Sequence, residues 1–267
     1  MKKSLVTGLL GGLLGVCLIP SLAMAQSAFD GTWKIDLNRV QMPKKPDVIL
    51  LQDGMYACKT CAPAFTVKAD GEDQKVTGHP YFDMIAVKVV DDHTVQETEK
   101  KAGKVVSTST TTVAADGKTA SFEFNDSSNS NAEPVTGSGT MTRVAKGPAG
   151  SHAISGSWRT TTVSNVSDNG LTVTYKVDGD SLHMSSPTGQ SYSAKMDGTE
   201  APYMGDPGTT SVSVKKLGEN ILQETDKRDG KVISVTKMTV AADGKSMSIA
   251  VEDKLRGSSM SFVAMKN

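Results

Sequence analysis

The chain has 267 residues, with 29 basic and 29 acidic side chains, three cysteines and only 5% aromatics. A formal charge of zero removes any whole-chain electrostatic case for nucleic acid or an anionic membrane surface. So few aromatic residues argue against a large stacked-aromatic binding surface.

Residues 1–25 read as an export signal. Lys2 and Lys3 form a short basic start, Leu5 to Leu22 an apolar run, and Ala23-Met24-Ala25 a small-x-small cleavage pattern. A membrane anchor is the competing reading, but Pro20 interrupts the run and the cleavage pattern ends it. Val16 before Cys17 does not fit a lipoprotein site. Cleavage after Ala25 would leave 27 basic against 29 acidic residues and only Cys58 and Cys61. The expected location is periplasmic or secreted, with no transmembrane span after cleavage. In such an oxidising compartment a cysteine pair is expected to form a disulfide.

The remainder is written twice. Gln96-Glu97-Thr98 repeats as Gln223-Glu224-Thr225, and Thr112-Val113-Ala114-Ala115-Asp116-Gly117-Lys118 repeats as Thr239-Val240-Ala241-Ala242-Asp243-Gly244-Lys245. The offset of 127 holds without a gap back to Lys68 and Lys195, with 22 identities over 51 positions. Upstream, Gly31-Thr32-Trp33 matches Gly156-Ser157-Trp158 at an offset of 125. An internal repeat sets the architecture before any single element is assigned. The expected organisation is a signal at 1–25, copy one at 26–145, a linker at 146–152 rich in Gly and small residues, and copy two at 153–267. Asp53-Gly54 aligned with Asp178-Gly179 places Cys58 opposite His183, so the cysteine pair belongs to copy one alone. The polar stretch Asn125 to Asn131 in copy one reads as an exposed loop.

Each copy reads as antiparallel strands. Asp-Gly occurs at Asp30, Asp53, Asp70, Asp116, Asp178, Asp197, Asp229 and Asp243, and Asn169-Gly170 adds a ninth hairpin-type pair. Between them lie runs rich in Val, Thr, Ser and Ile. Leu171 to Val177 alternates strictly, with Leu171, Val173, Tyr175 and Val177 on one face. The predicted fold is all-β: a tandem duplication of a roughly eight-stranded antiparallel meander, closed as a barrel or left as a partly open barrel or sandwich. Closure removes exposed edges.

Gly-x-Trp on the first strand of a roughly 120-residue meander resembles the lipocalin-like (calycin) barrels. The wider pattern of Ala-Asp-Gly-Lys turns is similar to a group of uncharacterised secreted bacterial β-rich proteins. The resemblance implies that Trp33 and Trp158 each plug one end of a barrel. It transfers no activity.

Candidate chemistry is sparse. Cys58-Lys59-Thr60-Cys61 has the spacing of a redox pair, but strand-like flanks provide no helix N-terminus to activate a thiolate, so a structural staple is the better reading. Half of a metal site is the remaining alternative, and haem attachment would need His where Ala62 stands. His79, His93, His152 and His183 lack ligand spacing and read as solvated turn residues. Seven of the eleven methionines after residue 25 lie in copy two. Thioethers can select copper(I), but with no Met-x-x-Met cluster they read as core fillers. No Gly-x-Ser-x-Gly elbow supports a nucleophile. Gly244-Lys245-Ser246 reads as a hairpin turn rather than a phosphate loop. Glu97-Glu99 and Glu224-Asp226 alternate on strands and read as solvated faces.

The expected function is therefore non-enzymatic, with no cofactor or metal: a binding protein for a small apolar ligand, lined by Trp33, Trp158, Val173, Tyr175 and Met184. The rival is an envelope interaction module with solid barrels, whose partner would be an envelope protein; a thiol-redox protein is a third reading.

Overall fold

A computed structural model describes residues 27–129 and 133–267. The expected export signal therefore lies outside the described residues, as do Ser130 to Ala132 of the polar insertion. Twenty strands follow in order. They are β1 (Gly31–Ile35), β2 (Asp47–Gln52), β3 (Met55–Cys58), β4 (Phe65–Lys68), β5 (Asp70–Lys75), β6 (Met84–Val89), β7 (Thr94–Lys101), β8 (Lys104–Val113), β9 (Thr119–Asp126) and β10 (Val135–Lys146). Then come β11 (Gly156–Ser164), β12 (Thr172–Asp178), β13 (Ser181–Ser185), β14 (Ser191–Lys195), β15 (Asp197–Met204), β16 (Ser211–Gly218), β17 (Ile221–Arg228), β18 (Lys231–Val240), β19 (Ser246–Asp253) and β20 (Ser258–Lys266). One helical turn, α1 (Asp168–Leu171), stands between β11 and β12.

The strands form two all-antiparallel meanders of ten strands each, rather than about eight. One is a closed barrel, β1-β12-β13-β14-β15-β16-β17-β18-β19-β20. The other runs β4-β3-β2-β11-β10-β9-β8-β7-β6-β5 and is nearly closed; we call it the split barrel. At its seam β4 follows directly into β5 without pairing to it. In the closed barrel the matching strands do pair, Ser191 with Met204 and Tyr192 with Tyr203. Pro63, which lacks an N–H donor, precedes the seam where the closed barrel has Gln190. Side chains fill the seam instead: Phe65 meets the His79 ring edge-on at 5.3 Å, and His79 stacks on Phe82 at 4.7 Å.

The two barrels exchange their Gly-x-Trp strands. β1, from copy one, pairs with β12 and β20 and closes the copy-two barrel. β11, from copy two, pairs with β10 and β2 and completes the copy-one barrel. The stretch 146–152, expected as a linker, thus belongs to the loop of a β10–β11 hairpin, where the Gly147 N–H donates to the Ser155 carbonyl at 3.1 Å. The chain crosses between sheets instead at 36–46, from β1 to β2, and at 165–171, from β11 to β12. Asn169-Gly170, read as a hairpin turn, lies in α1 because the strands it joins belong to different sheets. Asp70-Gly71 and Asp197-Gly198 also differ from the expected turns: both start strands and sit at register shifts. At Asp53-Gly54 and Asp229-Gly230 both residues take the positive φ of a tight hairpin, 52° and 71° at the first and 50° and 77° at the second.

Both tryptophans are fully buried and held alike. Trp33 donates its indole N–H to the Phe29 carbonyl at 2.9 Å, and Trp158 donates to Ile154 at 2.7 Å. A cation covers each ring: Lys266 Nζ lies 4.9 Å from the Trp33 centroid and Arg143 Cζ 4.0 Å from that of Trp158. Gly156 sits at φ 135°, and a Cβ there would meet the Ala145 carbonyl oxygen at 2.3 Å. Only glycine lets the strand enter at that point.

Candidate functional site: a cavity in the split barrel

The split barrel carries an open-mouthed cavity of about 500 Å³. Its walls are mainly apolar: Ile49, Tyr56, Phe65, Phe82, Ile85 and Phe122 contribute from five strands or their flanks. This volume lies within the range of small-molecule sites. Residues of the other barrel complete the mouth, with Arg228 at the end of β17 and Asp253, Leu255 and Arg256 between β19 and β20. Arg256 forms an ion pair with Asp47 across the two barrels. Nearby, the Tyr81 hydroxyl donates to Asp206 at 3.0 Å.

Comparison with the closed barrel explains why space remains. The turn between β2 and β3 aligns with that between β12 and β13 at an offset of 126, so the position matching Cys58 is Met184, not His183. Both are buried. Further along, at offset 127, Thr111 and Ala120 of the split barrel stand where the closed barrel has Met238 and Met247. Both methionines are buried in its core with Trp33, Tyr192 and Leu222. Met141 pairs with Ala120 as Ala264 pairs with Met247, and so returns part of the lost volume. Met184, Met238 and Met247 of copy two thus fill the closed core, while Met204 and Met265 are exposed; the residues at the matching positions of copy one are smaller.

Two carboxyl groups enter this apolar space. Val95, Glu97 and Glu99 share one face of β7, and Val95 is buried, so the acidic side chains point inward with it. Glu97 accepts from the Ser109 hydroxyl at 3.3 Å, and the Tyr56 hydroxyl lies against it. Burial raises the Glu97 carboxyl above its usual range, against the hydrogen bonds from Tyr56 and Ser109 that lower it. Burial also pushes Glu99 up to about 7, with Glu97 and Asp126 adding repulsion. Among the described residues Glu99 has no hydrogen-bond or ion-pair partner, and it borders both the cavity and an adjoining crevice with Asp126 and Asp206. The reading of Glu97-Glu99 as a solvated face is therefore overturned. Glu224 and Asp226 repeat the arrangement in the closed barrel. There the Tyr192 hydroxyl donates to Glu224, Ser234 donates to Asp226 at 2.6 Å, and burial raises both carboxyls.

His79 also differs from the expected solvated turn histidine. It forms part of the cavity wall, its Nε2 is buried without a hydrogen-bond partner, and burial lowers its pKa. Cys58 and Cys61 form a disulfide with Cα atoms 5.5 Å apart, and both border the cavity.

The five residues expected to line a ligand site lie elsewhere. Trp33, Val173, Tyr175 and Met184 pack in the closed barrel, with Trp33 directly paired to Val173. Trp158 belongs to the split barrel's core. None of them borders the cavity. The residues that do were detectable only through parity, because Glu97 and Glu99 alternate in step with Val95. Among the described residues no three His, Cys, Asp or Glu side chains are grouped to hold a metal ion, and no helix is long and apolar enough to cross a membrane. No protein-family model matches the chain, and no curated protein matches it significantly.

Proposed function

We propose that the protein binds a small, largely apolar ligand inside the split barrel, outside the cytoplasm and without catalysing a reaction on it. The observation that carries this reading is the 500 Å³ cavity with aromatic and aliphatic walls. The export signal read at residues 1–25 and the Cys58–Cys61 disulfide support an oxidising compartment. Glu97 and Glu99 are neighbours on one strand face rather than groups opposed across a bound bond, an arrangement suited to holding a ligand. The closed barrel, packed with Met238, Met247 and Tyr192, supports a scaffold role for that half. It carries the segments that border the mouth.

The neutral fluorophore N-phenyl-1-naphthylamine tests the proposal. The expected result is saturable fluorescence enhancement with one site per chain. Thr111→Met, which installs the side chain found at Met238, should cut the affinity by about tenfold or more by filling the cavity, while thermal stability holds or rises. Absence of saturable binding, or binding untouched by Thr111→Met, would overturn the proposal.

A further inference from the structure

More acidic than basic side chains line the cavity. Asp47, Glu97, Glu99 and Asp253 face it, against Arg228 and Arg256. Arg256 is already paired with Asp47. That leaves Arg228 near the seam, beside His79, as the guanidinium opposing Glu97, Glu99 and Asp253. Asp126 on β9 and Asp206 extend the acidic surroundings of Glu99 on its other side. The neutral polar groups nearest the carboxyls are the Tyr56 and Ser109 hydroxyls, and Tyr81 stands at the seam. A carboxylate largely withdrawn from water beside apolar walls gains from a cation or donor that meets it. Glu99 lacks such a partner within the protein, and the apolar walls leave room for a hydrocarbon or aryl body beside it.

We infer that the ligand is an amphiphilic amine, its ammonium group held by Glu99 with Glu97 behind, and its apolar body lying against Phe65, Phe82 and Phe122. The inference rests on the cavity reading above and specifies its chemistry. The ammonium would supply to Glu99 the donor it lacks within the protein, converting a partly buried carboxyl into a charge-assisted pair. Its proton would compete with the ligand: an alkylammonium keeps its charge until about pH 10, whereas Glu99 titrates near 7. Binding should therefore strengthen as pH rises through neutrality.

Displacement of N-phenyl-1-naphthylamine by octylammonium, octanol and octanoate separates the possibilities. At pH 8, octylammonium should bind about tenfold or more tightly than octanol, the value of a hydrogen bond to a charged group. Octanoate should be the weakest. The amine preference should shrink several-fold at pH 5.5. Glu99→Gln should abolish the preference of amine over alcohol, Glu99→Asp should retain part of it, and Glu224→Gln, in the other barrel, should leave it intact. Equal affinity for amine and alcohol, or a preference for octanoate, overturns this inference alone. Failure of the fluorophore itself to bind overturns the cavity reading beneath it.

Discussion

Inward carboxyls leave a mark on stability as well as on binding. Glu99 is held near 7 when folded against about 4.3 in an unfolded chain, so between these values the folded state keeps a proton that the unfolded state has lost. Stability then falls as pH rises from about 4.3 through about 7, the reverse of the usual carboxylate trend. Glu97, Glu224 and Asp226 are displaced in the same direction. His79, lowered by burial, works the other way below about 6.5. With four carboxyls against one imidazole, the melting temperature should decrease between pH 5 and pH 8 in calorimetry, and the double variant Glu99→Gln/Glu224→Gln should flatten the slope. A melting temperature that climbs across this interval would contradict the burial assigned to these groups. Composition gave no warning of them, because Gln-Glu-Thr-Glu has the polarity of an exposed edge. Only the step of two residues from Val95 to Glu97 and Glu99 points inward, and a single apolar residue is a weak guide to which face is buried.

Strands and turns were more legible than side-chain placement. The repeat at offset 127 and the alternating runs correspond to paired strands, because backbone pairing and two-residue periodicity are local properties. The Asp-Gly pairs were readable where they join neighbours in one sheet, and misleading at Asp70 and Asp197, where the same positive-φ glycine starts a strand at a register shift. The alignment of Cys58 with His183 failed by one residue, and in a strand one residue exchanges the two faces. The disulfide that braces the β3–β4 connection closes only a four-residue loop, for which chain entropy predicts about 2 kcal/mol or less. Replacing both cysteines by serine should therefore lower the denaturation midpoint modestly and leave the fold intact by circular dichroism. It should also weaken fluorophore binding, since both cysteines border the cavity. A collapse of the fold would show that the pair holds more than its own turn.

At the scale of the whole molecule, sequence copies and structural units do not coincide. Two strands that share the Gly-x-Trp start offer the same buried face to equivalent partners, so that motif does not say which barrel each one joins. The short β10–β11 hairpin decides it, because a strand returning directly beside β10 occupies the place that β1 would otherwise take. Residues 47–164 hold all ten strands of the split barrel. That segment, expressed alone, should fold, with the dispersed amide spectrum of a β domain, and should bind the fluorophore more weakly for want of Arg228 and Leu255. The sequence copy 26–145 lacks β11 and can complete its barrel only by seating β1 between β10 and β2, so it should be less stable than 47–164. If 26–145 proved the better-behaved piece, the strand exchange would be wrong.

The exchange also dictates an order of events. β1 precedes all ten strands of the split barrel in the chain and its partner β20 follows them; Lys266 reaches back 238 residues to the Ala28 carbonyl. The split barrel draws on one uninterrupted stretch and can assemble while synthesis continues. The closed barrel must wait for the final strand, with β1 held open throughout. Such distant pairing is slow in general, and here it makes the arrival of β20 the condition for closure. A truncated chain would retain a loose leading strand, an exposed edge by which an unfinished copy could be distinguished from a finished one.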